Sequence, residues 1–369
     1  MSKKLTIHKE NMPLYDIVIE KDYEKLGDML SFLELKGHKA LILTDSNIGV
    51  HHAGTVSSIV ENYASFVDVL TLEPGEKYKN LDTIQKIYRY LIENKFDRKD
   101  FLFALGGGVI GDMTGYAAAT YLRGISFVQL PTSLLAMVDS SIGGKTGVDF
   151  ENYKNMVGAF YQPKAVYMGL SVLSTLPERE FISGFSEIIK HSLILDVGYY
   201  QYLQDNVEKA LKREADVLEE IIYQSLQCKQ QVVEEDPYES GRRAILNFGH
   251  TIGHSIEKAM DFSMLHGECV SVGMGAAAYL SCQRGLLSKT ELTEGLKLLE
   301  AYRLPIFLNK ENAPTKEEIL SAIKNDKKME AGAIKFILLR HLGEAYIDKT
   351  VTDTELLEAI QFSRREEGR

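Results

Sequence analysis

The stretch DFLFALGGGVIGDMTGYAAATYLRGISFVQLPTS, residues 100–133, decides the fold. Its opening, 100–107, is an apolar run without polar alternation, the pattern of a strand buried on both faces. Gly106, Gly107, Gly108 and Gly111 then match G-x-G-x-x-G, and GDMTGYAAATYL (111–122) reads as a helix rich in small residues. ISFVQLPTS (125–133) returns to strand. Strand, glycine turn and helix is the context in which backbone N–H groups and a helix N-terminus receive a dinucleotide pyrophosphate. The competing reading is a glycine turn that only lets strand and helix pack closely. Two features depart from the dinucleotide pattern. The motif lies far from the N-terminus, and no acidic residue follows at about 20 positions; the nearest, Asp139, comes 28 after Gly111. Ribose contacts would then come from Asp45 and Asn47, after ALILT, or from Glu76 and Lys79 in PGEKYK (74–79).

Outward from this stretch, the first half keeps alternating. ALILTDS (40–46), SFVDVLTL (65–72) and AVYMGLSVL (165–173) read as strands, and LDTIQKIYRYLIEN (81–94) as an amphipathic helix. Such alternation predicts a mostly parallel sheet with helices on both faces. From about Pro177 helices take over, expected at 178–194, 197–211, 213–234, 247–260, 267–283, 289–301, 315–324 and 353–364, with a strand pair near 334–340 and 344–349. The expected organisation is an α/β Rossmann-like domain over 1–176 and a mostly α-helical domain over 177–369. The default place for a small-molecule site is the cleft between two such domains.

The 369 residues are 45% hydrophobic and 25% charged, ordinary for a globular chain of about two domains. A chain this long needs no metal or disulfide merely to fold, so a metal would serve function. The net charge of −10 argues against nucleic acid and anionic membrane as partners. Three cysteines, Cys228, Cys269 and Cys282, without a CxxC, fit a reducing compartment. No signal-peptide pattern or long apolar span is visible, so a cytoplasmic location is expected.

Three of nine histidines, His250, His254 and His266, fall within seventeen residues, in FGHTIGH and LHGE. His250 and His254 are i, i+4 and share a helix face. Imidazoles so clustered suggest a metal, and spacing alone favours His250 and His254 as a ligand pair. Glu187, in SEIIKH, is a plausible carboxylate donor. Core or capping histidines are the plainer alternative. Basic residues Arg123, Lys145, Lys154, Lys190, Lys229 and Arg243 lie in or beside these segments, Lys145 and Arg243 being the least surface-like by local sequence. They suit an anionic substrate, a phosphate ester or carboxylate. GGKTG (143–147) resembles half a P-loop but lacks the leading glycine, which argues against Walker-type hydrolysis.

Taken together, PGEKYK (74–79), GGGVIGDMTGYAAATYLRG (106–124), QLPTSLLAMVDSSIGGKTGVD (129–149), KNMVGAFYQP (154–163), SGFSEIIKH (183–191), LNFGHTIGHSIE (246–257) and LHGECVSVGM (265–274) resemble the 3-dehydroquinate synthase family of the sugar-phosphate cyclase superfamily. The resemblance spans most of 40–275 and is weak at 1–39 and 276–369. It implies NAD+ and one divalent metal, Zn2+ or Co2+, in the cleft between the two domains. It implies Glu187, His250 and His266 as metal ligands, with His254 facing substrate, which overrides the i, i+4 pairing. Lys145, Asn155, Lys190, Lys229, Arg243 and Asn247 match substrate positions. Arg123 matches a residue that reaches a partner subunit, implying a homodimer. Asp45, Asn47, Glu76, Lys79, Gly107, Gly108, Asp112, Thr132, Ser133, Asp139, Lys145 and Lys154 match the cofactor side. One more basic residue of the phosphate site falls in the C-terminal part, where Lys327, Lys328 and Lys335 remain open.

The implied reaction turns 3-deoxy-D-arabino-heptulosonate 7-phosphate into 3-dehydroquinate and phosphate, in the shikimate route to aromatic amino acids. It runs through transient oxidation by NAD+, β-elimination of phosphate, re-reduction, ring opening and aldol closure. The alternatives are another sugar-phosphate cyclase or an NAD- and metal-dependent polyol dehydrogenase. DSSIGGKTGVD and KNMVGAFYQP favour the dehydroquinate type. On this reading the acidic excess belongs largely to the outer helices, and the local bases define an anionic substrate.

Overall fold

The computed structural model describes residues 2–151, 153–261, 263–309, 313–329 and 335–364. Contacts divide the chain into two compact units, residues 1–177 with 218–230, and residues 178–217 with 231–369. The inclusion of 218–230 in the first unit has no signal in the sequence pattern, because those residues sit inside one continuous helix, Ala215–Glu235.

In the first unit the strands are β1 Lys3–Lys9, β2 Met12–Glu20, β3 Lys39–Asp45, β4 Phe66–Leu72, β5 Phe101–Gly106, β6 Ser126–Pro131, β7 Lys145–Phe150, β8 Tyr153–Phe160 and β9 Ala165–Gly169. The helices are α1 Leu26–Leu30, α2 Ser46–Val60, α3 Leu81–Glu93 and α4 Gly108–Thr120. Seven strands form one sheet in the order β1-β2-β9-β6-β5-β3-β4. All neighbours are parallel except the β1–β2 pair at one edge. Every residue of β5 and β9 is buried, which is why these strands read as unbroken apolar runs. From β3 the chain passes through α2 to β4 on one side; from β5 it passes through α4 to β6 on the other. The connections therefore diverge between β3 and β5, and ligands of open parallel sheets settle at the carboxyl ends of such strands.

The sequence reading stops AVYMGLSVL too late. The strand ends at Gly169 and residues Leu170–Thr175 form a tight 3-10 turn. The β7–β8 hairpin carries no strand pattern in the sequence. It lies against α4, so closely that a Cβ on Gly115 would stand 2.3 Å from Thr146 Cγ2.

The second unit holds α5 Glu178–Leu195, α6 Val197–Asp205, α7 Val207–Leu211, α9 His250–Ala259, α10 His266–Gln283, α11 Lys289–Ala301, α12 Lys316–Met329 and α13 Asp353–Ser363, with the hairpin β10 Phe336–His341 and β11 Glu344–Asp348; α8 Ala215–Glu235 belongs partly to each unit. The helix expected over 197–211 is divided at Asn206, whose φ of −119° is not helical. The one expected from 247 begins at His250, because Arg242–Asn247 is a 3-10 turn and Gly249 is left-handed. Apolar nearly all round, α10 is buried along most of its length and packs against α5, α9, α11 and α13. Among the described residues no helix is long and apolar enough to cross a membrane.

Phe103, in the middle of β5, is fully buried. Phe103→Ala is expected to cost about 3–5 kcal/mol of unfolding free energy in denaturant titration. A loss well under about 1 kcal/mol would show that β5 is not the centre of the first unit's core.

Candidate active site

Three helices of the second unit carry the histidine cluster. Glu187 projects from α5, His250 and His254 from the start of α9, and His266 from the first position of α10. The ring nitrogens of His250, His254 and His266 include atoms within 4.8 Å of one another. Glu187 is fully buried, at 0% exposure. Its Oε2 is paired with the ammonium of Lys190, one turn on and itself buried. Its Oε1 has no hydrogen-bond partner among the described residues, yet lies 3.5 Å from Nε2 of His250 and 3.8 Å from Nε2 of His266.

That arrangement fits a metal. A carboxylate oxygen left unmatched in a protein interior costs free energy, and a bound cation removes the cost. Donor atoms on a tetrahedral zinc with bonds of about 2.0–2.1 Å stand roughly 3.3 Å apart, so the two observed separations are a few tenths of an ångström too wide. The tautomers agree. Nδ1 of His250 faces the carbonyl oxygen of Phe248 at 3.2 Å, and a carbonyl only accepts. Nδ1 therefore carries the proton and Nε2 keeps its lone pair. Burial first, then Lys190 and the two other imidazoles, hold His250 well below its ordinary pKa, in the neutral state that a metal requires.

The closeness of these donors depends on glycine. A Cβ on Gly267 would lie 2.1 Å from the backbone oxygen of Ser183 in α5. A Cβ on Gly273 would lie 2.0 Å from the backbone oxygen of Gly249, at the head of α9. Gly249 itself has φ +79°, a conformation that favours glycine. Glu268 adds a clamp that the sequence reading missed. It accepts from Leu265 N at 2.8 Å, and its two oxygens receive Arg179 Nε and Nη2, each at 2.7 Å. This bidentate pair ties the first turn of α5 to the first turn of α10, where His266 begins.

In the first unit the glycines divide their labour. A Cβ on Gly106 would meet Ile110 Cβ at 2.6 Å, and one on Gly111 would meet Gln129 Oε1 at 2.8 Å, so these two serve packing. Gly107 and Gly108 instead face the hydroxyls of Ser133 and Ser140, at 3.5 and 3.1 Å from an added Cβ. Gly107 caps α4 without a side-chain hydrogen bond, leaving helix N–H groups for an anion. Thr132, beside this turn at the end of β6, is buried with a hydroxyl that has no partner among the described residues. Asp45 ends β3, the strand next to β5, and Asn47 lies just beyond it; Asp45 caps α2 through Asn47 N at 2.9 Å and Ile48 N at 3.2 Å, and Asn47 is exposed. The turn, Thr132 and Asp45 thus lie at the carboxyl ends of strands β5, β6 and β3, where a dinucleotide fits.

A polar network surrounds that turn. Lys79, 4% exposed, places its ammonium 2.6 Å from Asp112 Oδ2 and donates to Asn155 Oδ1 at 2.6 Å. Burial pulls its pKa down, but Asp112 and Glu76 outweigh that and hold the ammonium protonated. Lys154 lies 3.5 Å from Glu76 Oε1. Asn155, at φ +53°, donates its backbone N–H to Asp149 Oδ1 at 2.8 Å. Lys229 donates to Asp139 O at 2.5 Å and pairs with the Asp139 carboxylate, on a π-helical turn.

Other sequence candidates are placed differently. In the second unit Arg243 is buried, donating Nη1 to Pro237 O at 2.6 Å, and Asn247 donates to Glu239 Oε1 at 2.7 Å. Lys145 is exposed at the start of β7, contrary to its local sequence environment, although the three residues after it are buried. His254 is exposed, its ring 5.0 Å from that of His250 and 5.6 Å from that of His266. Arg123 is exposed on a left-handed pair with Leu122, φ +66° and +50°. Lys335 is exposed; the side chains of Lys327 and Lys328 lie outside the described residues.

Comparison with known proteins matches residues 69–183 to "3-dehydroquinate synthase N-terminal" and 184–329 to "3-dehydroquinate synthase C-terminal". A 3-dehydroquinate synthase of Ruminiclostridium cellulolyticum is 42% identical over 94% of this chain and 95% of its own length. One of Acetivibrio thermocellus is 43% identical over the same shares. Among solved structures, a 2-deoxy-scyllo-inosose synthase complexed with carbaglucose-6-phosphate, NAD+ and Co2+ has TM-score 0.89 and 25% identity, covering 98% of this chain and all of its own. An iron-containing alcohol dehydrogenase shares the fold at TM-score 0.67 and 14% identity, over 95% of this chain and 97% of its own.

Gly267→Ala is expected to destabilise the protein by about 1–3 kcal/mol in denaturant unfolding, since backbone must move, and to weaken zinc binding in chelator competition. Wild-type values in both would mean that the α5–α10 contact does not set the site. Acid gives a second check. The unfolded chain takes up a proton at His250 near its ordinary 6.5, and the folded chain resists it. This contribution to stability is present above about pH 6.5 and lost as pH falls. The melting temperature of metal-free protein should drop between about pH 7.5 and 5.5, less steeply in His250→Gln; equal slopes would contradict a depressed His250.

Proposed function

The chain belongs to the 3-dehydroquinate synthase family, and from that premise we propose that it converts 3-deoxy-D-arabino-heptulosonate 7-phosphate to 3-dehydroquinate and inorganic phosphate. The observation that carries the reading is the buried Oε1 of Glu187, which faces the Nε2 atoms of His250 and His266. With NAD+ and one divalent metal bound, the protein gains a reversible hydride acceptor and a Lewis acid that polarises a substrate hydroxyl carbon.

The chain's own residues supply the rest. Glu187, His250 and His266 hold the metal, and two nitrogens with one oxygen suit Zn2+ or Co2+. Lys190 occupies one oxygen of Glu187, leaving the other as a single donor. Gly107 and Gly108 receive the cofactor's pyrophosphate, with Thr132 and Ser133 beside them and Asp45, Asn47, Glu76, Lys79, Asp112, Asp139, Lys145 and Lys154 around the remainder. Arg243 offers a permanent cation to the substrate carboxylate, its guanidinium already oriented by Pro237 O. Lys145, Lys229, Asn155, Asn247 and His254 would contact the sugar phosphate, and His254, beside His250 and His266, is placed to move a proton at a substrate hydroxyl. Holding one substrate conformation for successive steps accounts for much of the catalysis. We assign Arg123 to a homodimer contact. Two successive left-handed non-glycine residues cost about 1–3 kcal/mol each, and here they hold this cation outward.

The test is phosphate release from the heptulosonate 7-phosphate with NAD+ and zinc. Phosphate is expected without net NADH, and chelator should abolish it. Net NADH accumulation would mark a polyol dehydrogenase, and no phosphate with both cofactors present would overturn the synthase reading.

A further inference from the structure

We infer that Glu257, which has no part in the reaction described so far, is a positioning residue that fixes the imidazole of His266 for the metal. The inference rests on the metal centre proposed above. Glu257 stands on α9 seven residues after His250 and three after His254, so one helix face carries all three. It is buried, at 4% exposure. A carboxylate so placed must be matched by a donor. Its Oε2 lies 3.5 Å from Nδ1 of His266, while Nε2 of the same ring lies 3.8 Å from Glu187 Oε1. Two carboxylates thus face the two nitrogens of one imidazole.

The consequence is a fixed tautomer. An ionised carboxylate only accepts, so the Glu257 side dictates a proton on Nδ1 and leaves the lone pair of Nε2 pointing to the metal position. His250 reaches the same tautomer through the Phe248 carbonyl. The two rings therefore present equivalent nitrogens by different means. His266 has the greater need of such a partner, because its side chain is 28% exposed against 12% for His250. An exposed ring can rotate about its final bond, which carries Nδ1 to the place of Cδ2 and Nε2 to the place of Cε1, unless a partner holds it.

The test reads metal, not turnover. Zinc affinity is measured by chelator competition in the wild type, Glu257→Gln, Glu257→Ala, His266→Ala and the Glu257→Ala/His266→Ala double variant, with the absorption spectrum of each Co2+-loaded protein. Glu257→Ala is expected to weaken zinc about 10–100-fold and to shift the Co2+ bands. Glu257→Gln should largely restore both, because its amide oxygen still accepts from Nδ1. In the His266→Ala background, removing Glu257 should change affinity by less than about twofold. Wild-type affinity in Glu257→Ala overturns the inference. So does a loss that persists undiminished without His266, the result that a merely structural role would give. A wild type that binds no zinc overturns the metal centre and this inference with it. A zinc-binding protein that releases no phosphate defeats the reaction alone.

Discussion

The donors of the proposed metal centre can be no closer than the backbones that carry them, and those backbones meet at glycine. Gly267 lets the head of α10 rest on the Ser183 carbonyl of α5, and Gly273 lets the same helix rest on the Gly249 carbonyl before α9. Both contacts are too close for a Cβ. They bring Glu187 Oε1 within 3.5 and 3.8 Å of two imidazole nitrogens contributed by different helices. A displacement of even about 1 Å is half a zinc–ligand bond and would not be recovered by side-chain rotation. The buried Glu187–Lys190 pair depends on the same packing. Removing one partner of such a pair costs about 3–5 kcal/mol, so the site and the local fold are held by one set of contacts.

The first unit applies backbone exposure to another end. Close packing uses Gly106 and Gly111, while Gly107 and Gly108 leave helix N–H groups open beside two serine hydroxyls. The G-x-G-x-x-G pattern contains both kinds and does not tell them apart. Lys79 then joins three sequence segments, the PGEKYK turn, α4 through Asp112 and the β7–β8 hairpin through Asn155. Residues assigned to the cofactor and to the substrate by resemblance are in contact at this one ammonium.

Much of this was legible in sequence for identifiable reasons. Strands β3, β5, β6 and β9 are buried on both faces, so they appear as continuous apolar runs. The β7–β8 hairpin was missed because its pairing depends on Gly147 and Gly158, poor strand formers; a Cβ on Gly158 would stand 2.4 Å from the Thr146 carbonyl across the pair. His250 was legible from spacing, but i, i+4 logic selected His254 as its partner. That spacing is blind to partners from other helices: in the structure all three imidazoles cluster, and the buried carboxylate of Glu187 on α5 faces His250 and His266. Glu187 was a candidate donor and His266 a member of the cluster from the residues alone, but choosing them over His254 rests on resemblance, and Glu257 carries no signal of its own although HTIGHSIE places it on the same face as His250. A buried acid on a histidine-bearing helix face was the available signal. Lys145 misled in the other direction, since neighbouring glycines suggest enclosure but the hairpin leaves it exposed.

The central claim is that the metal binds Glu187, His250 and His266, with His254 left beside them. X-ray absorption on the zinc-loaded protein tests it most directly, by counting imidazoles and comparing the wild type with His254→Ala. The account requires two imidazoles and a carboxylate oxygen, with the metal's coordination unchanged in His254→Ala. Three imidazoles in the wild type, falling to two in that variant, would contradict it.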